Sequence, residues 1–153
     1  MQHDLANLVR VPLSSPEVSG GLHDDHLWLW EAYSFAGGLV TVRELLDELM
    51  AAGLPQRVGH LGACFRKGLL VKFAAEGDIW IPRFQFTRSY TVREGVTRAI
   101  AVLQHSFPEH QIALWFCTSN IWLHDAAPMD VVELKSEQVV WAARWDAMGA
   151  AEH

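Results

Sequence analysis

Residues 119–134, Ser-Asn-Ile-Trp-Leu-His-Asp-Ala-Ala-Pro-Met-Asp-Val-Val-Glu-Leu, constrain the fold more than any other stretch of this chain. Trp122 and Leu123 form a bulky apolar pair that favours burial. Five residues after Leu123 stands Pro128, whose fixed φ and missing N–H suit the first turn of a helix. Two short helices are therefore expected to meet at a tight corner. Asp130 puts a carboxylate in the first turn of the second helix, where free N–H groups and the positive end of the dipole favour it. Val131, Val132 and Leu134 are expected to form that helix's apolar face.

This corner resembles the toxin-binding domain of Xre/MbcA/ParS-type antitoxins. In that family a Trp-Leu pair is followed by two glycines, two further residues, Pro, a hydrophobic residue, Asp or Glu, and aliphatics. Trp122, Leu123, Pro128, Met129, Asp130, Val131 and Val132 match the pattern in register. The sequence departs from it at His124 and Asp125, which replace the glycines, and at Ala127, which replaces a capping Ser or Thr. Asp and His tolerate a left-handed backbone better than most residues, so the turn is still expected. The missing cap costs about 1 kcal/mol, which Asp130 partly offsets.

The resemblance covers residues 40–148. It implies an antitoxin whose C-terminal helices cover a cognate toxin, most often of the RES class that consumes or transfers from NAD. Inhibition would be steric, with the antitoxin in the approach to the toxin's NAD pocket. The residues expected to touch the toxin are Trp122, Leu123, His124, Asp125, Met129, Trp141, Arg144 and Trp145. The resemblance also implies a homodimer that represses its own operon through the N-terminal half.

Half of the 153 residues are hydrophobic and seven are Trp, which calls for a folded globular protein with one sizeable core or two small domains sharing an interface. The longest apolar run, Ile112 to Cys117, is core-sized and too short for a bilayer. Met1-Gln2-His3-Asp4 has no basic region followed by an apolar one, so the expected location is the cytoplasm. Cys64 and Cys117 lack metal-ligand spacing and read as small buried hydrophobes.

Net charge is −6, unevenly spread: residues 41–90 carry seven bases and five acids, while the segments on either side are each at −4. Such an asymmetry suits a nucleic-acid face inside an acidic protein, although +2 is far below the charge of a dedicated DNA-binding domain.

The chain divides into an N-terminal lead-in with an aromatic helix (1–38), a winged helix-turn-helix-like domain (39–86) and a helical toxin-binding domain (87–153). The expected fold class is therefore mainly α, of the α+β type, with one β-hairpin in the first half and a helical bundle after it. Residues 1–22, with Gly20-Gly21, read as mostly irregular. Asp24-Asp25 opens the aromatic helix, Gly37-Gly38 ends it, and Leu27, Trp30 and Phe35 lie near one face. His23-Asp24-Asp25-His26 has too few ligands at suitable spacing for a metal, and a solvated cap is the better reading.

Thr41-Val42-Arg43-Glu44 is a capping box that opens an amphipathic helix through Leu45, Leu46, Leu49 and Met50, and Gly53 stops it. Pro55 restarts a helix to Lys67 with Val58, Leu61 and Phe65 as its stripe. Two helices joined by a short Gly-containing turn match a helix-turn-helix, and Leu69–Ala74 with Asp78–Pro82 read as a hairpin. Gln56, Arg57, His60, Arg66 and Lys67 are the candidates for DNA contact; the bland reading is that they are the wet face of a small domain. Both stay open. Phe84 and Phe86 are expected between the two halves.

Thr91-Val92-Arg93-Glu94 repeats the capping tetrapeptide and is expected to open a helix through Val96, Ile100 and Leu103. Helices from Pro108 to Phe116 and from Ser136 through Val139, Val140, Ala143 and Ala147 complete the bundle. Trp141 and Trp145 stand one turn apart, a spacing that fits core packing first and partner contact second. No motif demands catalysis, a metal or a cofactor; the eight histidines are scattered, and although His105, His110 and His124 could converge in the bundle, a catalytic or metal role there is the weaker reading. An antitoxin, and not an enzyme, is the expected function; the alternative is a stand-alone dimeric DNA-binding transcriptional regulator.

Overall fold

A computed structural model describes residues 20–151, with side chains from residue 27 onward. Helix α1 (Gly20–Ser34) is followed by β1 (Leu39–Thr41), α2 (Val42–Ala51), α3 (Arg57–Arg66), β2 (Phe73–Ala75) and β3 (Asp78–Pro82). A 3-10 turn at Arg83–Gln85 leads to α4 (Glu94–Leu103), α5 (Glu109–Cys117), a second 3-10 turn at Ile121–Leu123, α6 (Pro128–Val131) and α7 (Ser136–Ala151). The described chain is mainly helical, with one small antiparallel sheet in the order β1-β3-β2.

Local chemistry fixes the first helices. Thr41 ends β1 and caps α2: its hydroxyl accepts from Glu44 N at 3.1 Å, and its own N–H donates to the Glu44 carboxylate at 3.4 Å. At the far end Gly53 takes φ +71°, so that Gly53 N and Leu54 N reach the carbonyls of Met50 and Leu49 at 3.1 and 2.9 Å. The expected stripes are buried: Val42, Leu45 and Leu49 on α2, and Val58, Leu61 and Phe65 on α3. Glu76 and Gly77, both at positive φ, turn β2 into β3. The expected hairpin is joined by β1, whose Val40 pairs with Ile81; three residues are too few to show a period.

A second buried cluster gathers Leu29 and Tyr33 of α1, Val96, Ile100 and Leu103 of α4, Phe116 of α5 and Val139 and Ala143 of α7. Helices α4 and α7 approach so closely at Gly95 that a Cβ there would lie 2.6 Å from Ser136 Cβ. The two clusters meet at Pro82–Phe86, with Phe84 packed on the second and Phe86 on the first. Between them Gln85 is fully buried: its carbonyl accepts from Val71 N at 2.8 Å, and its amide donates to the carbonyls of Val71 (2.8 Å) and Pro82 (3.0 Å).

Several expectations are corrected. Helix α1 begins at Gly20, not at Asp24, and buries Leu29 and Tyr33 while Leu27 and Phe35 stay exposed. The tertiary fit decides this register: the Tyr33 hydroxyl donates to Ala113 O at 2.6 Å, and its ring stacks 5.8 Å from Phe84. Thr91 caps nothing. Residues 91–93 are held extended, with Phe86 bridged to Val92 and Arg93 N donating to Gln85 O at 2.8 Å, so α4 starts at Glu94 and the Thr91 hydroxyl pairs with that of Thr87. Leu134 lies beyond α6 and is 90% exposed, so Val132 and Pro128, with Val131 half-buried, seat that helix.

No helix among the described residues is long and apolar enough to cross a membrane. Cys64 and Cys117 are free and buried. Burial pushes the Cys117 thiol up to about 12 and raises the Cys64 thiol and the Tyr33 hydroxyl, so none of the three is a ready nucleophile near neutral pH.

Candidate functional site

The corner is built around Asn120. Its side-chain oxygen accepts from Trp122 N at 2.9 Å, its N–H donates to Ala126 O at 3.0 Å, and its carbonyl accepts from Asp125 N at 2.9 Å. His124 and Asp125 then take φ 55° and 66°, left-handed as the turn requires. Ala127 stands at the N-cap of α6 without a side-chain cap, Pro128 fills the first turn and Asp130 follows there. Trp122 and Leu123 part company: Leu123 is 6% exposed and holds the corner from inside, whereas Trp122 is 51% exposed.

Trp122 is nonetheless fixed. Its indole N–H donates to Asp146 Oδ1 at 3.0 Å, while Oδ2 of the same carboxylate accepts from Trp115 Nε1 at 2.7 Å and Asn120 Nδ2 at 2.9 Å. One side chain of α7 thereby pins the end of α5 and the corner together. The Trp122 ring also stacks on Trp145, with centroids 5.3 Å apart and planes at 21°. An ordered aromatic pair results, and both rings are exposed.

Helix α7 explains why. Val139, Val140, Ala143 and Ala147 form its buried stripe, and Trp141, Trp145 and Met148, spaced by four and three residues, form a second stripe opposite. Trp141 is 54% and Trp145 46% exposed, which overturns the core reading of this pair. The Arg144 guanidinium lies over the Trp141 ring, 5.6 Å from its centroid. Ile121 extends the exposed apolar surface beside the corner, and Met129 is half-buried under it.

Thus Trp122, Trp145, Trp141 and Arg144 share one surface, His124 and Asp125 form an exposed turn beside it, and Leu123 supports it from within. Sequence reasoning missed Asp146, Asn120, Ile121 and Met148. Met148 was within reach, since Trp141, Trp145 and Met148 repeat at helical spacing. Asp146 carried no signal, because its partners lie 31, 26 and 24 residues away in the chain.

The other candidate face, on α3, is sparser. Gln56, His60, Arg66 and Lys67 are exposed, but Arg57 is half-buried and its Nε donates to Ser89 O at 3.2 Å. Two further bases of the positive segment are paired: Lys72 with Glu109, and Arg83 with Glu48, which also accepts from the Tyr90 hydroxyl at 3.2 Å. The Arg83 guanidinium holds the Glu48 carboxyl below its usual value.

Among the described residues no group of three or more His, Cys, Asp or Glu is placed to hold a metal. The side chains of His23, Asp24, Asp25 and His26 lie outside the described residues. No family model, curated protein or solved structure matches this chain.

Proposed function

We propose that the protein is an antitoxin that inhibits a cognate toxin by covering it with the outer face of α7 and the adjoining corner. The observation that carries this reading is the exposed set Trp122, Trp141 and Trp145, with Trp122 and Trp145 stacked, Trp122 bonded to Asp146 and Trp141 covered by the Arg144 guanidinium. Tryptophan and arginine are the residues most enriched where binding energy concentrates, and pre-ordered rings lose little entropy on docking. The Trp122–Val132 register and the left-handed turn at His124-Asp125 support the likeness to Xre/MbcA/ParS-type antitoxins, and with it a RES-type partner. Inhibition by occlusion asks for no catalytic group or cofactor in this chain, and a cytoplasmic location is part of the proposal.

The test is co-expression with a RES-type toxin encoded beside this gene. The expected result is restored growth and a complex that co-purifies; neither rescue nor complex would contradict the reading.

A DNA-binding N-terminal half is a second reading, favoured by one observation. The element order α1-β1-α2-α3-β2-β3, with the sheet arranged β1-β3-β2, supports a winged helix-turn-helix reading in which α3 would be the recognition helix and the β2–β3 hairpin the wing. We propose operator contact by a homodimer through Gln56, His60, Arg66 and Lys67. With Lys72 and Arg83 already paired, few phosphates are within its means. Binding of the full chain to its own promoter should weaken only shallowly with salt, and no promoter binding at low salt would reject the idea.

A further inference from the structure

Beside the tryptophans the corner leaves a cleft of about 440 Å³, lined by Phe107, Leu114, Trp115, Ser119, Asn120 and Asp146 among others. Among the described residues Asp146 is the only ionisable one in that lining. Its carboxylate cannot swing, since three N–H groups converge on it, yet it is not saturated: Oδ2 takes two donors and Oδ1 only the Trp122 indole, against about four lone-pair sites on a carboxylate. Phe107, Leu114 and Trp115 supply the apolar part of the walls, and Gln111, Thr118, Ser119 and Asn120 the polar part. The same surface already seats one guanidinium on an indole, Arg144 over Trp141.

A fixed carboxylate in a cleft that also presents Phe107, Leu114 and Trp115 is complementary to a planar cation on a flexible apolar stem. An anion would meet Asp146 head-on. We propose that this cleft receives an arginine side chain of the protein partner, with the guanidinium on Asp146 Oδ1 and the methylene stem along Leu114 and Phe107. Asp146 then has two roles, orienting Trp122 and accepting the partner's charge. The inference rests on the partner-binding reading and adds the chemistry of one contact.

Trp115 and Trp122 both donate to Asp146, so their indole N–H resonances report on the site in the free protein. Titration of the full chain with N-acetyl-arginine methylamide should shift these two signals saturably. The neutral isostere built on citrulline should bind about tenfold more weakly, the loss expected for a charge-assisted hydrogen bond. Asp146→Asn should abolish the difference between the two ligands. Equal responses to arginine and citrulline in the wild-type protein, or no saturation with either, would overturn the proposal, and that comparison holds even if Asp146→Asn disturbs the corner. No toxin is present in the titration. A toxin complex without arginine-selective shifts therefore rejects the cleft alone, whereas arginine-selective shifts in a protein that captures no toxin reject the antitoxin reading and leave the arginine site standing.

Discussion

Helices α3 and α7 each turn a face to solvent, and the two faces are made of opposite materials. On α3 every large apolar side chain points inward, and Gln56, His60, Arg66 and Lys67 are left outside. On α7 the inner stripe is equally complete, yet Trp141, Trp145 and Met148 stand outside as well. A helix with one apolar stripe is satisfied by its own core; a helix with two leaves the second in solvent, which is the observation behind the proposed partner face. Burial of a Trp releases more apolar surface from water than burial of almost any other side chain, so the α7 face offers far more to a protein partner than the α3 face does. What α3 has to offer is hydrogen bonds and a few charges, which suit a polyanion if they suit anything.

The sharpest way to break this contrast of inside and outside is at one dipeptide. Leu123→Ala should cost about 2–5 kcal/mol, as for other buried leucines, whereas Trp122→Ala should cost less, about 1–3 kcal/mol, the worth of one hydrogen bond and one stacked pair. Urea denaturation of both variants decides, and equal losses would mean that Trp122 belongs to the core after all. Gln85→Leu comes next, because it strands the buried N–H and carbonyl of Val71. A loss of about 1–3 kcal/mol is expected, with the α3 and α7 halves still melting in one transition. Two separate transitions in that variant would show that Gln85 is what couples them.

Thr41→Ala, which uncaps the helix ahead of α3, should cost about 1 kcal/mol, while Thr91→Ala ahead of α4 should stay within about 0.5 kcal/mol. The smallest effect concerns Glu48. Arg83 lowers its folded-state value below that of the unfolded chain, so its contribution is present above the ordinary glutamate range and is lost as pH falls through the lowered value. Stability curves of wild type and Glu48→Gln should accordingly differ at neutral pH and converge in acid; a gap that persists in acid would point to packing instead of charge.

Much of this architecture could be read from residues whose effect is local. Thr41, Gly53, Pro108 and Pro128 mark helix ends through their own backbone chemistry, and the stripes of α2 and α3 follow from period alone. Thr91 shows the limit: the same tetrapeptide that caps α2 is pulled straight by a bridge to Phe86, a contact that no local window contains. Strand β1 and the true face of α1 likewise depend on partners far along the chain. For the site, Trp122, Trp141, Arg144 and Trp145 were legible as a group. Their direction was not, because hydrophobicity does not distinguish a side chain meant for its own core from one meant for another protein. Asp146 was invisible for the same reason in polar form, since its role exists only once Trp115, Asn120 and Trp122 meet it.

The most direct test of the claim that α7's outer face is a docking surface is the affinity of the purified toxin complex, measured calorimetrically for wild type and for the Trp141→Ala/Trp145→Ala double variant. Binding should weaken at least about 30-fold, the loss of a hot spot, while the free protein stays folded and loses only about 0.5–1.5 kcal/mol of stability with the Trp122–Trp145 stack. Full affinity in the double variant would contradict the account.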